Sequence, residues 1–262
     1  TTGHDEGNTV NTFNTGISVA AEADIEASDI DNCTTGILHN TTGAVDLHSN
    51  NIATATTGIS ITNTGAFSSH TDTISIATTG ININAAVTSD IDNLTSAATN
   101  AKGINIVTHT STAVDGSTFN LDDDSSGIVI AAVANTLTLT TNKFLDDGDG
   151  TKDEIAIDNN DASNTVSAAN NWFDNATGPI HDDDAATGDN VKVNGLVQYS
   201  PFYTNVDLGA GNPDYRVKAT DTAGTPNITY HTYLSTALNV SNLASIELKR
   251  NISNTNDQED ID

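Results

Sequence analysis

The stretch LDDGDGTKDE, residues 145 to 154, gathers oxygen donors around two glycines, the arrangement a hard divalent cation uses. Asp147, Asp149 and Asp153 surround Gly150 and approximate the alternating ligands of a calcium loop. Leu145 stands where an EF-hand-like phrase carries its first Asp, so two readings stay open: a loop stiffened by Ca2+, and an acidic turn without metal. A bound calcium is expected to be structural, and no other cofactor is implied.

His48 and His70 form a second candidate. His48 follows Gly36 at the same offset at which His70 follows Gly58, and Asp92 stands at that offset from Gly80. Imidazoles one repeat apart could hold a metal. The pattern supplies no third ligand, however, and an exposed polar ladder is the expected reading. His39 falls on an apolar column and is expected to be a hydrogen-bonded core histidine. The run LDDDSS, residues 121 to 126, offers carboxylates without the His and basic clamp that polygalacturonase-like hydrolysis needs, so it reads as a solvated turn. A polyuronate lyase needs an Arg or Lys base beside calcium-holding Asp residues, yet Lys102 is the only basic residue between 1 and 142. No nucleophile elbow, phosphate loop or zinc spacing is present. The chain is therefore expected not to be an enzyme, with no catalytic residue.

These groups have to be positioned by a chain of unusual composition. Thr (41) and Asn (32) dominate its 262 residues, aromatics make 5%, and there is no Met. Any core must be thin and built from Ile, Val, Leu and Ala. A net charge of −27 repels phosphate backbones and anionic headgroups, which argues against nucleic acid and membrane surfaces as partners. Such a balance suits a secreted or salt-exposed protein. The longest apolar run, GIVIAAVA at 127 to 134, is too short to span a membrane, which takes roughly 20 residues. Cys33 stands alone and is expected either to be buried or to pair with another chain. The chain starts with Thr and carries no basic, apolar leader, as expected of an excerpt or of a protein whose signal peptide is gone. The seven Asn-x-Ser/Thr sequons match the number expected by chance from this composition and are no sign of glycosylation.

The positioning element is a repeat. Gly-Ile pairs begin at Gly16, Gly36, Gly58, Gly80, Gly103 and Gly127, and a recurrence every ~20 to 24 residues marks a solenoid. Ile17, Ile37, Ile59, Ile81, Ile104 and Ile128 follow directly, and Val19, His39, Ile61, Ile83, Ile106 and Ile130 come two further on, with mostly polar residues between. That alternation predicts a strand with one buried face. Each repeat is too short for two helices and a turn, so its remainder must be short strands, for which AVDLHS, AFSSHT and AVTSDI, then NNIATAT, DTISIAT and NLTSAAT, occupy equivalent offsets. Three strands per rung, stacked in parallel about 4.8 Å apart, make a β-helix. The glycine is expected to serve either a positive φ or a corner too tight for a Cβ. All four prolines lie after residue 178, outside the repeats, where a missing N–H does no harm.

The segment NNWFDNATGPIHDDDAATGDNVKVNGLVQYSPF, residues 170 to 202, resembles a stretch of secreted right-handed β-helix proteins of the pectin-lyase-like class. There an Asn-Trp-Trp-Gly run precedes Gly-Pro, Gly-Asp and an aromatic-Ser-Pro-aromatic phrase. The matching residues are Asn171, Trp172, Phe173, Gly178, Pro179, Gly188, Asp189, Tyr199, Ser200, Pro201 and Phe202, with Phe173 in place of the second Trp and Asp174 in place of Gly. The resemblance implies the fold and an exported protein. It is nearly silent on activity, because the class holds lyases, hydrolases, adhesins and structural proteins.

Residues 1–205 are thus expected to form an all-β, right-handed parallel β-helix, and 206–262 a C-terminal β extension with strands in DYRVKA, NITYHTYL and SIELKRNIS. That extension holds four of the eight basic residues, while the stretch from Thr1 to Asp31 is acidic. It is expected either to cap its own solenoid or to contact a neighbouring subunit head to tail. The expected function is a non-catalytic structural or adhesive module of a cell surface, in its bolder form a filament of identical subunits. The alternative is a secreted protein that binds or degrades polysaccharide, with glycans as partners.

Overall fold

The computed structural model describes residues 3–53, 56–75, 78–97, 99–131, 136–148, 154–175, 178–181, 191–199, 202–203, 205–208, 217–221, 228–231 and 243–248. The chain winds as a parallel β-helix whose rungs each contribute one short strand to three sheets. The first sheet has seven strands, from Gly3–Glu6 to Thr136–Thr140, and the second has eight, from Thr9–Asn11 to Trp172–Phe173. The third has nine, from Thr15–Val19 through Ile155–Asn159 to Lys192–Asn194 and Ile180–His181. Among the described residues there is no helix, and no helix long and apolar enough to cross a membrane.

In-register stacking is direct. Ile17 pairs with Ile37, Ile37 with Ile59, Ile59 with Ile81, Ile81 with Ile104 and Ile104 with Ile128. Ile37 through Ile128 are fully buried and Ile17 is partly buried against the same core. Each buried Ile contributes about 1.5–3 kcal/mol through removal of its surface from water. The column continues past the last Gly-Ile pair through Ile157 to Val193. In the second sheet the interior passes from Ile30, Ile52 and Ile74 through the buried Ser96 to Phe119, Phe144 and Phe173. Those three rings lie parallel, with centroids 5.1 and 5.4 Å apart. Tyr199 meets Phe173 edge-on, and Phe202 packs beside Tyr199, so the residues that carry the family resemblance end the aromatic stack.

The repeated glycine answers to close approach, not to a positive φ. A Cβ on Gly36 would sit 2.6 Å from the Gly58 carbonyl oxygen and 2.7 Å from Ile52 Cγ2; Gly58 meets Gly80 and Ile74 in the same way. Neighbouring rungs nest through this column, and a methyl group there would push them apart. At the next equivalent place the chain has Ala156, fully buried, and the pairing of its strand with Lys192–Asn194 shifts register between Ile155 and Ile157.

Positive φ belongs to a different corner, directly after each first-sheet strand. Gly7, Ala27, Ser49, Thr71, Asn93, Gly116 and Thr141 occupy it, with φ between 49° and 68°, and Asn170 (φ 61°) takes the equivalent place after Val166–Ser167. The side chain one residue further points inward and accepts a hydrogen bond from the equivalent corner of the preceding rung. Asn50 Oδ1 takes the Ser28 N–H at 3.0 Å, Asp72 Oδ1 takes the Asn50 N–H at 2.7 Å, and Asn142 Oδ1 takes the Ser117 N–H at 3.1 Å. Asn171 Oδ1 accepts from the Asn142 backbone at 2.8 Å, and its amide group donates to the Leu139 and Ala168 carbonyls. This buried polar column satisfies backbone groups that the sharp turn withdraws from the sheets. Leu94 interrupts it: its N–H donates to Ser117 Oγ, but its side chain offers no acceptor.

His39 is fully buried on the inward column, edge-on to Phe67 at 6.2 Å, and neither ring nitrogen has a hydrogen-bond partner within normal geometry. The expected core histidine is present, with the Gly43 and Ala66 backbone near its ring but short of normal hydrogen-bond geometry. Burial holds its pKa below the ordinary value, so it sits neutral in the core. Cys33 is buried, with its Sγ donating to the Asp31 carbonyl at 3.2 Å.

Beyond Phe202 the described strands change character. Val217–Asp221 lies between Ile228–His231 and Leu243–Leu248 in an antiparallel three-stranded sheet.

Two outcomes follow from these columns. Gly58→Ala should lower unfolding free energy by roughly 1–3 kcal/mol, the range for overpacked sites, in chemical denaturation. Asp72 is a buried carboxyl in a column otherwise filled by Asn, Ser and Leu, and burial raises its pKa. A raised folded value means that its contribution is complete below the unfolded value and is lost as pH rises through the folded one. Asn can reproduce the bonds accepted from Asn50, as Asn171 does toward Asn142, and its amide N–H can donate to the Ser69 hydroxyl that now donates to Asp72. Asp72→Asn should therefore raise the thermal midpoint at neutral pH, with the gain shrinking in acid; an equal shift at every pH would contradict this account.

Candidate functional site

Two clusters bring chemically able side chains together. The first lies at a corner after the second-sheet strands. Asn120 pairs with Leu145, and the Leu121 N–H donates to the Leu145 carbonyl at 2.8 Å, which sets the 121–126 turn beside the start of the 145–154 loop. Asp122, Asp123 and Asp147 bring one carboxylate oxygen each within 4.8 Å of one another, as do Asp146, Asp147 and Glu154. Asp147 is exposed and Glu154 is buried, so the cluster runs from surface to interior.

The 121–126 run is a turn, as expected: the Asp122 N–H donates to Ser125 Oγ, the Ser125 N–H to the Asp122 carbonyl, and Asp123 and Asp124 are exposed. Its approach to Asp147 was not anticipated. The signal that reveals it is the phrase Leu-Asp-Asp, at 121 to 123 and again at 145 to 147, one repeat apart. Of the three ligands expected from the loop, Asp147 joins this cluster, while Asp149 and Asp153 lie outside the described residues. Asp174 borders the cluster from the next rung. Burial, reinforced by the Asp146 carboxylate, raises its pKa above the ordinary carboxyl value. Asp146 Oδ1 is itself buried with no hydrogen-bond partner. Converging carboxylates of this kind repel one another unless protonated or bridged by a cation.

The second cluster lies on the outer face of the first sheet. His48 pairs with His70, and His70 with Asp92, in the register expected from their spacing. The two imidazoles stack with centroids 5.0 Å apart and planes inclined by 20°. Asp46, two residues before His48 and therefore on the same face, lies against both rings. Its Oδ2 is 2.9 Å from His48 Nε2, and its Oδ1 is 3.6 Å from His70 Nε2. Ser68 Oγ donates to Asp46 Oδ1 at 2.6 Å, and His70 Nδ1 lies 3.2 Å from Asp92 Oδ2. Burial pushes the Asp46 pKa up, but the Ser68 hydroxyl and His48 outweigh it and hold the carboxyl below its ordinary value. Asp46 is the group that sequence reasoning did not connect to the histidines.

These geometries define a parallel β-helix with an imidazole cluster on an outer face and an acidic cluster at a corner. Comparison with protein-family models, with curated proteins and with solved structures finds no match to this chain.

Proposed function

We propose that the chain is a non-catalytic structural or adhesive module of an extracellular or cell-surface assembly, built as a right-handed β-helix whose work is done by its stiffness and its outer faces. The observation that carries this reading is the unbroken interior stack from Ile37 to Ile157, with polar outward columns such as Thr15, Thr35, Thr57 and Thr79. Sequence composition supports export, since an acidic, Thr- and Asn-rich surface stays soluble in salt. The resemblance of residues 170 to 202 to secreted pectin-lyase-like proteins points the same way.

Head-to-tail association of identical subunits is the bolder part of the reading. Its support is the repeat and the strand-bearing carboxyl-side segment; that segment holds Arg216, Lys218, Lys249 and Arg250, but its acidic NDQEDID terminus argues against a purely electrostatic junction. Size-exclusion chromatography with negative-stain imaging across salt and calcium conditions tests it. Filaments or open-ended oligomers are expected, and monodisperse monomers throughout would refute polymerisation. A glycan array with product analysis tests the competing polysaccharide reading, for which neither retention nor cleavage is expected.

Calcium enters this proposal as a structural ion at the 122–154 corner. Ca2+ should raise the thermal midpoint of the wild-type chain, and Asp123→Asn with Asp147→Asn should abolish most of that shift. An unchanged calcium response in the double variant would remove the corner from the account.

A further inference from the structure

We propose that His48, His70 and Asp46 form a binding site for a divalent transition-metal ion, with Asp92 as its positioning residue. What the repeat pattern lacked was a third ligand beside the two imidazoles. The structure supplies it: one carboxylate presents an oxygen to each ring, Oδ2 to His48 Nε2 at 2.9 Å and Oδ1 to His70 Nε2 at 3.6 Å. Donors about 2.0–2.1 Å from a tetrahedral Zn2+ stand roughly 3.3 Å from one another. The two observed separations are of that size but run to different oxygens of the carboxylate, and the wide edge is the one between the two imidazoles.

The rings are stacked at 5.0 Å, set by the strand spacing beneath them, so an ion has to draw their Nε2 edges toward the shared carboxylate. They have room to tilt, because the His48 and His70 side chains retain 36% and 29% of their accessible surface. Asp92 then acts as carboxylates commonly do behind metal-bound imidazoles. It holds Nδ1 of His70 at 3.2 Å and leaves Nε2 as the donor. Ser68 orients Asp46 from the other side at 2.6 Å.

Ligand type selects the ion. Two imidazoles with one carboxylate suit Zn2+, Cu2+ or Ni2+ and are a poor set for Ca2+, which takes oxygen donors. The net charge of −27 raises the local concentration of any cation. Metal and protons compete for the same nitrogens, so binding weakens as pH falls. The site stands independently of the structural role proposed above.

Zn2+ alone is a sufficient probe. Calorimetric titration of the full chain with ZnCl2, in excess Ca2+ to occupy the carboxylate corner, should show one ion whose affinity drops at least ~10-fold in His48→Gln and in His70→Gln, and ~10-fold in Asp92→Asn. In the wild-type chain, imidazole nitrogen resonances of His48 and His70 should move on Zn2+ addition while those of buried His39 and His109 stay in place. That measurement needs no variant to fold. Unchanged zinc affinity in both Gln variants, displacement of zinc by Ca2+, or stationary His48 and His70 resonances would each overturn the assignment.

Discussion

Nearly everything in this molecule depends on the contact between one rung's glycine and the carbonyl oxygen of the next. At Gly16, Gly36, Gly58 and Gly103 a Cβ would fall 2.6 Å from that oxygen. Removing the side chain at this column lets neighbouring rungs settle at hydrogen-bonding distance with no offset. Equivalent residues then lie directly over one another, and the Ile, Phe and imidazole ladders are consequences of that single register.

Perfect stacking makes each outward column a one-dimensional array of a chosen side chain. The interior tolerates this because Ile on Ile and Phe on Phe are favourable contacts. On the outside it forces like charges together, as at the 122–154 corner, or sets imidazoles beside carboxylates, as where His48 and His70 take their places between Glu26 and Asp92. Both candidate sites arise this way, from substitutions within a column and not from a pocket of convergent loops. The corner turns meet the same constraint from within. A left-handed residue at each turn, Ser49 or Thr71 for instance, swings backbone groups out of the sheets, and the inward Asn and Asp side chains bind them from the rung beyond.

Much of the fold could be read from the residues, and the failures have physical causes. The Gly-Ile spacing identified the solenoid and the Ile column because β-branched residues recurring at strict offsets fit almost no architecture except stacked strands. The column's continuation to Ile157 and Val193 was hidden, since Ala156 replaces the glycine and the interval lengthens. Asn50, Asp72, Asn142 and Asn171 were not recognised as interior residues, because a polar side chain after a turn ordinarily faces water; only the three-dimensional corner shows that its backbone needs them. His39 meets Phe67 and the Gly43 and Ala66 backbone without a hydrogen bond of normal geometry, because its position on the strand is fixed by the column and not by those groups. At the sites, residue types were legible while their partners were not. His48 and His70 were placed together, but Asp46 lies on a neighbouring outward column, and contacts between columns depend on side-chain direction, which spacing alone does not convey.

Ala156 shows what one added methyl group accompanies in such a column. One extra methyl group, at a place that earlier turns leave bare, coincides with the slip between Ile155 and Ile157 and with the end of regular winding. Turns of 20 to 24 residues keep the Ile column in register from Ile17 to Ile128, so differences in length are absorbed at the corners while the strands stay matched. Beyond Ala156 the parallel pairing continues only in shorter strands, Trp172–Phe173, Lys192–Asn194 and Val197–Gln198, so the residue marks where close nesting of the rungs gives way to looser winding.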